Sequence, residues 1–297
     1  MISFLIPVYN EETLLENTVS TVSEYAERCG LDYEIIVVDN GSTDGTIELV
    51  RDSYPQVRYI RNEGNAGFQK ATNQGLRAAE GRYLMWLNND TVVKPGAFAA
   101  LVTFADAHPE SGIVGPKVLN RDGSLQKQCR RGDPTPWSVL SYFSGLSRLF
   151  PRSKFFSGYL VGWANEDETI EVDACSGAAM MLRREAMDAV GPIDETFFYG
   201  GEDLDYCYQV RQHGYTNYYH PAAQILHYGG QGGARNRPYK LTYEFHRSMV
   251  LYFRKNLTGR YPFYLVWPIY AGIWAHFAFA FARNLVRKDK IPGGKKP

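Results

Sequence analysis

Three features of the sequence predict an α/β fold with a mostly parallel central sheet and helices on both faces. Apolar, β-branched runs alternate with helical periodicities through the first ninety residues. The runs are continuous rather than alternating in polarity, as strands buried on both faces are. They also end abruptly in clusters of Asp, Asn and Gly. Right-handed crossovers then bring the strand C-termini, with those clusters, to one edge of the sheet.

The elements follow in order. Residues 2–8 form the first strand. Leu15, Val19, Val22 and Ala26 recur at helical spacing, with Gly30 as the stop. Residues 33–38 are a second strand, ending in Asp39-Asn40-Gly41-Ser42-Thr43-Asp44-Gly45, where turn residues meet helix caps. A third strand spans 57–60, a helix 68–79, and a fourth strand 83–87 that stops at Asn88-Asn89-Asp90. A helix over 95–108 leads to a strand over 113–118, and Asp122-Gly123 signals a hairpin. Residues 130–165, with three prolines and scattered aromatics, predict a long loop over an active site. Order returns at 171–174. Helices over 184–190 and 203–213 stop at Gly191-Pro192 and Gly214, and a last helix of the body spans 239–256.

Composition narrows the function classes. The chain has 297 residues with 32 Lys+Arg against 32 Asp+Glu, so no overall basic field exists to hold nucleic acid. At 44% hydrophobic and 14% aromatic it can bury a sizeable core. Four cysteines without a C-x-x-C pair suit a reducing compartment. The apolar run after Met1 has no basic flank or cleavage site, so it predicts a buried strand and a cytoplasmic start. Oligomeric state has no signature in the sequence.

Three polar clusters follow strands: Asp39, the 88–90 triplet and the His227 region. Neither G-x-G-x-x-G nor a Walker A lysine motif occurs, so a bound nucleotide is not held by a glycine-rich phosphate loop. A metal ion on a carboxylate is the simplest way to neutralise a diphosphate instead.

The motifs Phe4-Leu5-Ile6-Pro7-Val8-Tyr9-Asn10-Glu11-Glu12 and Val37-Val38-Asp39-Asn40-Gly41-Ser42-Thr43-Asp44-Gly45-Thr46 resemble those of family-2 glycosyltransferases of the GT-A fold. Asn65-Ala66-Gly67-Phe68 with Asn73-Gln74-Gly75, then Asn88-Asn89-Asp90, then 197–205 continue the resemblance in family order. Each motif alone is weak, but five in sequence are jointly specific, over about residues 2–256. The later half most resembles rhamnosyltransferases using a dTDP-sugar. The resemblance implies inverting hexosyl transfer, with residues 1–235 as the GT-A catalytic domain and 236–297 as a C-terminal helical, membrane-associated segment.

It also assigns roles. Asp39 would accept the imide N–H of uracil or thymine; a turn-capping aspartate is the alternative. Pro7, Tyr9 and Glu11 would line the base pocket, or merely pack at the strand end, and Asn65, Gly67, Asn88 and Asn89 complete the donor set. Asp90 stands at the last acid of the family's Asp-x-Asp motif and would bind Mg²⁺ or Mn²⁺ on the diphosphate, although Asn88 and Asn89 bring no charge. A solvated turn is the alternative. His227 would be a second metal ligand or a structural imidazole. Asp203 would be the base that deprotonates the acceptor hydroxyl, with Glu202 or Asp205 orienting the acceptor; helix N-terminal charge alone would also put acids there. Arg235 or Arg237 in the glycine loop after Tyr228 would close over phosphates, or the loop is only flexible.

Between Arg260 and Arg283 lie 22 residues without formal charge, nine of them aromatic, broken by Pro262, Pro268, Gly272 and His276. Residues 283–297 hold six Lys/Arg and one Asp. A single span would put this basic tail and a cytoplasmic nucleotide-sugar site on opposite sides, so an interfacial or re-entrant segment on anionic lipid is expected. Packing on the body or spanning are the alternatives. Peripheral placement at the inner face of the plasma membrane suggests a lipid-linked or other glycan acceptor. The rival functions are a sugar-phosphate nucleotidyltransferase and a non-catalytic membrane scaffold.

Overall fold

The computed structural model describes residues 1–229 and 238–286. The chain runs β1 (Ile2–Val8), α1 (Glu12–Arg28), β2 (Tyr33–Asp39), α2 (Thr46–Ser53), β3 (Arg58–Arg61), α3 (Phe68–Ala78), β4 (Tyr83–Leu87), β5 (Thr91–Val93), α4 (Ala97–Ala107) and β6 (Ser111–Leu119). It continues through β7 (Arg130–Arg131), α5 (Pro136–Ser144), α6 (Leu146–Leu149), β8 (Ile170–Glu171), β9 (Ala174–Cys175), β10 (Ala179–Arg183), α7 (Arg184–Val190) and α8 (Glu202–Gln212). The last elements are β11 (Thr216–His227), α9 (Pro238–Tyr252) and α10 (Phe263–Val286).

Among these residues one nine-stranded sheet runs β3-β2-β1-β4-β10-β6-β11-β5, with β8 on β11, and β7 pairs with β9 apart from it. β3, β2, β1 and β4 are parallel, as their continuous apolar runs predict. β10 runs antiparallel between β4 and β6, and β11 is parallel to β6. The C-terminal ends of β2, β4 and β11 therefore share one edge with the N-terminal end of β10. Ile6, Leu15, Val37, Trp86 and Ile113 sit at the centre of the core with no exposed surface.

Residues 130–165 are not the extended loop that their irregular composition predicts. α5 and α6 form a short helical hairpin there. Thr135 caps α5, its hydroxyl accepting the Ser138 N–H at 3.2 Å, with Pro136 in the first turn. The Asp122-Gly123 turn closes as expected, Gly123 N–H donating to Asn120 O at 3.0 Å, but Lys127–Cys129 then makes a helical turn rather than a long returning strand. Cys129, Cys175 and Cys207 are free and buried, and Cys29 is free and half-buried.

α10 is one continuous helix of 24 residues, with Pro268 inside it. The predicted interruptions do not break it. One side packs on α9: His276 Nδ1 lies 2.8 Å from His246 Nε2, and Asn284 Nδ2 donates to Thr242 Oγ1 at 3.1 Å.

Candidate active site

The donor side is built where β1 and β2 end. Their register pairs Pro7 with Val38 and Val8 with Asp39, so the 9–11 turn leaves the sheet beside the Asp39 carboxylate. Asp39 is buried, and its Oδ1 accepts the Ser42 N–H at 2.9 Å. Its Oδ2 lies 3.4 Å from Arg61 Nε and has no hydrogen-bond partner. A turn-capping role uses one oxygen and leaves the second, which a buried carboxylate does only at a cost unless a ligand donates to it.

Pro7 is buried within β1, Tyr9 is exposed, and Glu11 N–H donates to Thr46 Oγ1 at 3.1 Å. Asn65 Oδ1 takes the Gly67 N–H at 3.0 Å, and Gly67 O takes Asn40 Nδ2 at 3.1 Å, so the 62–67 turn is tied to the Asp39 loop. The two turns touch at Gly41, where a Cβ would come within 2.6 Å of Gly64 Cα; with φ at +77° only glycine serves. A cavity of about 400 Å³ opens here, lined by Gly41, Ser42, Thr43, Arg61, Asn62 and Glu63. That volume is in the range of small-molecule sites.

β2 and β4 both flank β1, so Asp39 and the 88–90 turn leave strands about 10 Å apart. The hydroxyl of Thr18 on α1 donates to Asn89 O, fixing this turn on the helix. Asp90 is buried; its Oδ2 accepts the Gly229 N–H at 3.0 Å, and its Oδ1 lies 3.0 Å from His227 Nε2. His227 Nδ1 is 2.9 Å from Gln126 Oε1, and Asn88 Nδ2 is 3.3 Å from His227 Nε2. A glutamine oxygen only accepts, so Nδ1 donates to it, while Nε2 faces the Asp90 carboxylate, which needs a proton or a cation between them. Two ligands 3.0 Å apart also match neighbouring corners of an octahedron with bonds of about 2.1 Å. The buried Asn88 Oδ1 and Asn89 Nδ2 have no partner. These residues fit a divalent ion: a carboxylate, an imidazole and a neutral amide oxygen, with the rest of the shell left to a ligand.

The acid pair opens α8. Asp203 Oδ2 accepts Arg131 Nη2 at 2.6 Å and the Gly177 N–H at 3.0 Å, and Oδ1 accepts the Leu204 N–H at 2.8 Å. Asn88 N–H donates to Ala178 O at 2.9 Å, so adjacent residues at the start of β10 hold the acid pair on one side and the metal-type cluster on the other. A Cβ at Gly177 would sit 3.3 Å from both Asp203 Cβ and Trp86 Cζ2, a tight fit that would press on the acid pair. Glu202 is half-buried, and its Oε2 has no partner. Burial first, then the neighbouring Asp203 charge, push its pKa up to about 7, against a hydrogen bond from Gln69. Asp205 belongs elsewhere: it is paired with Lys255 and Asn256 at 2.8 Å each. Its carboxylate is spent docking the end of α9 rather than orienting an acceptor. Arg235 and Arg237 lie outside the described residues.

Comparison with known proteins decides the family. A family model described as glycosyl transferase family 2 matches residues 3–191, well over half of the chain. The chain belongs to that family. Glycosyltransferase relatives extend the likeness beyond the matched region. An N-acetylglucosaminyl-diphospho-decaprenol L-rhamnosyltransferase of Mycobacterium tuberculosis is 27% identical over 95% of this chain and 93% of its own. A low-salt glycan biosynthesis hexosyltransferase, Agl10, of Haloferax volcanii is 26% identical over 71% of this chain and 62% of its own.

Among solved structures, the mannosyltransferase PcManGT of Pyrobaculum calidifontis, in complex with GDP-Man and Mn²⁺, has TM-score 0.59 at 19% identity, over all of this chain and 76% of that one. S. aureus TarS 1–349 with UDP-GlcNAc has TM-score 0.58 at 16% identity, over 97% and 77%. This family 2 glycosyltransferase therefore has the GT-A fold and is an enzyme of glycosyl transfer, and the nucleotidyltransferase and scaffold readings fall away.

Sequence reasoning missed Arg131, Gln126 and Gly177 in this glycosyltransferase. Arg131 lies in the segment without periodicity, Gln126 on a turn, and only the Ser176-Gly177-Ala178 run ahead of Met180-Met181-Leu182 carried a readable small-residue signal.

Proposed function

We propose that this enzyme transfers rhamnose or another hexose, with inversion, from a dTDP- or UDP-linked donor to a lipid-linked or glycan acceptor in cell-envelope polysaccharide synthesis. The reading places it at the cytoplasmic face of the plasma membrane, with residues 1–235 catalytic and 236–297 membrane-associated. Its main support is the buried Oδ2 of Asp39, which faces Arg61 but accepts no hydrogen bond and so suits the imide N–H of a uracil or thymine base and not cytosine. Pro7, Tyr9, Glu11, Asn65 and Gly67 border that base and its ribose.

The diphosphate then extends from the β2 end toward Asn88, Asn89 and Asp90. Asp90 and His227, with Asn88 Oδ1, would hold Mg²⁺ or Mn²⁺, which supplies positive charge against the departing diphosphate. Asp203 takes the proton of the acceptor hydroxyl as its oxygen bonds to the anomeric carbon and the bond from that carbon to the phosphate oxygen breaks. Arg131 orients Asp203, and Oδ1, with a single hydrogen bond among the described residues, keeps a lone pair for the proton. The rhamnose preference is supported by the name of the 27% identical mycobacterial relative, and the dTDP preference by the resemblance in the later half alone.

The test is nucleoside-diphosphate release from a panel of dTDP-, UDP- and GDP-sugars with Mn²⁺, beside thermal shifts with the same donors. Release and stabilisation with dTDP- or UDP-sugars are expected. Response to GDP-sugars alone would overturn the base assignment.

A further inference from the structure

The helical hairpin α5–α6 turns apolar side chains outward. Leu140, Leu149 and Phe155 are 58%, 70% and 63% exposed. On α10, Trp267 and Phe279 are 73% and 65% exposed. The hairpin touches α10: the Phe143 ring lies 4.1 Å, centroid to centroid, from His276. The hairpin is firmly built, with Trp137 Nε1 donating to Phe155 O at 2.8 Å and the Ser141 hydroxyl to Phe156 O at 2.7 Å. Its base adjoins the acid pair, because Gly132 N–H, one residue past the Arg131 that holds Asp203, donates to Tyr159 O at 2.9 Å.

Charge identifies what covers this face. Residues 134–165 carry Arg148, Arg152 and Lys154 and no Asp or Glu. α10 adds the exposed Arg283 and again no Asp or Glu, in a chain with equal totals of each sign. A second copy seated face to face would set these cations against one another. An anionic bilayer complements them, while outward rings and leucines enter the headgroup boundary.

We propose that α5–α6 and α10 together form one docking face for an anionic membrane, the hairpin being a second insertion element beside the acid pair. The inference rests on the glycosyl-transfer reading only in what it says of the acceptor: a hydroxyl carried on a membrane lipid would reach Asp203 from the hairpin side. The docking itself stands on exposure and charge.

The test uses the full chain and sedimentation with phosphatidylcholine vesicles, with and without phosphatidylglycerol. Wild type should bind the anionic vesicles and leave the neutral ones. Leu140→Glu with Leu149→Glu should weaken that binding by about tenfold or more, and Arg148→Glu with Arg152→Glu should weaken it comparably. Both variants change exposed positions and should keep donor binding. Unchanged vesicle affinity in both variants would overturn the proposal. So would a lipid-free wild-type dimer that the leucine variant dissociates, which would make the face a contact between copies. Vesicle binding without any response to nucleotide sugars would leave docking standing and remove the donor reading instead.

Discussion

Arg131 donates from Nη2 to both Oδ2 of Asp203 and the carbonyl of Cys175, each at 2.6 Å, joining the acid pair to the strand that enters β10. Both side chains of the ion pair are buried, so removing either partner leaves an uncompensated charge. Arg131→Met should destabilise the protein by about 3–5 kcal/mol. Arg131→Met with Asp203→Asn should recover much of that loss, which a double-mutant cycle by chemical denaturation measures.

The two acids should separate in kinetics. Asp203→Asn is expected to abolish most turnover while nucleotide binding, measured by calorimetry, stays near wild type. Glu202→Gln should retain part of the turnover and lose the inflection near pH 7 from its pH–rate profile.

Stability gives Glu202 a second signature with a definite sign. Its folded pKa, about 7, lies above the ordinary carboxyl value, so the folded state binds the proton more tightly. The Glu202 contribution therefore becomes more destabilising as pH rises from about 4.5 to 7, then levels off. Glu202→Gln should raise Tm at pH 8 by roughly 2–4 °C, and the gain should shrink toward pH 5 in a thermal-melt series.

At the base pocket, Asp39→Asn replaces an acceptor oxygen by an amide that also donates. Affinity for dTDP- and UDP-sugars should fall about ten- to a hundredfold, the loss of one hydrogen bond to a charged group. Calorimetry with dTDP and UDP checks this, and undiminished affinity would move the base elsewhere.

Asp90→Ala should reduce donor affinity and, with it, the difference between titrations in Mn²⁺ and in EDTA. Wild-type affinity that is the same in both media would argue that the diphosphate is neutralised by the protein alone.

The parallel half of the sheet was legible because its strands are buried on both faces and read as unbroken apolar runs, as in Tyr33–Asp39 and Tyr83–Leu87. β11 was legible only at its end, the Ile225-Leu226 run before His227, because Pro221 interrupts it, and a proline argues against a strand interior. The strand accommodates it with a register shift against β6 between His220 and Gln224. The hairpin at 136–149 was hidden by rings facing solvent, which erase helical periodicity; Thr135-Pro136 and Gly145 carried the only local signal. At the site, Asp39, Asp90 and His227 were readable as polar residues closing apolar runs. Arg131 was not, since its partner lies 72 residues away and nothing local announces that pairing.

β10 has a consequence for how such an enzyme is laid out along its chain. Because it runs against its neighbours, it carries the second half of the polypeptide back to the rim where the first half has already assembled a nucleotide cradle. On the proposed reading, the acceptor's base is encoded far downstream of Asp39 and Asp90, and the two halves meet along the β4–β10 ladder and at the Asp90–His227 contact.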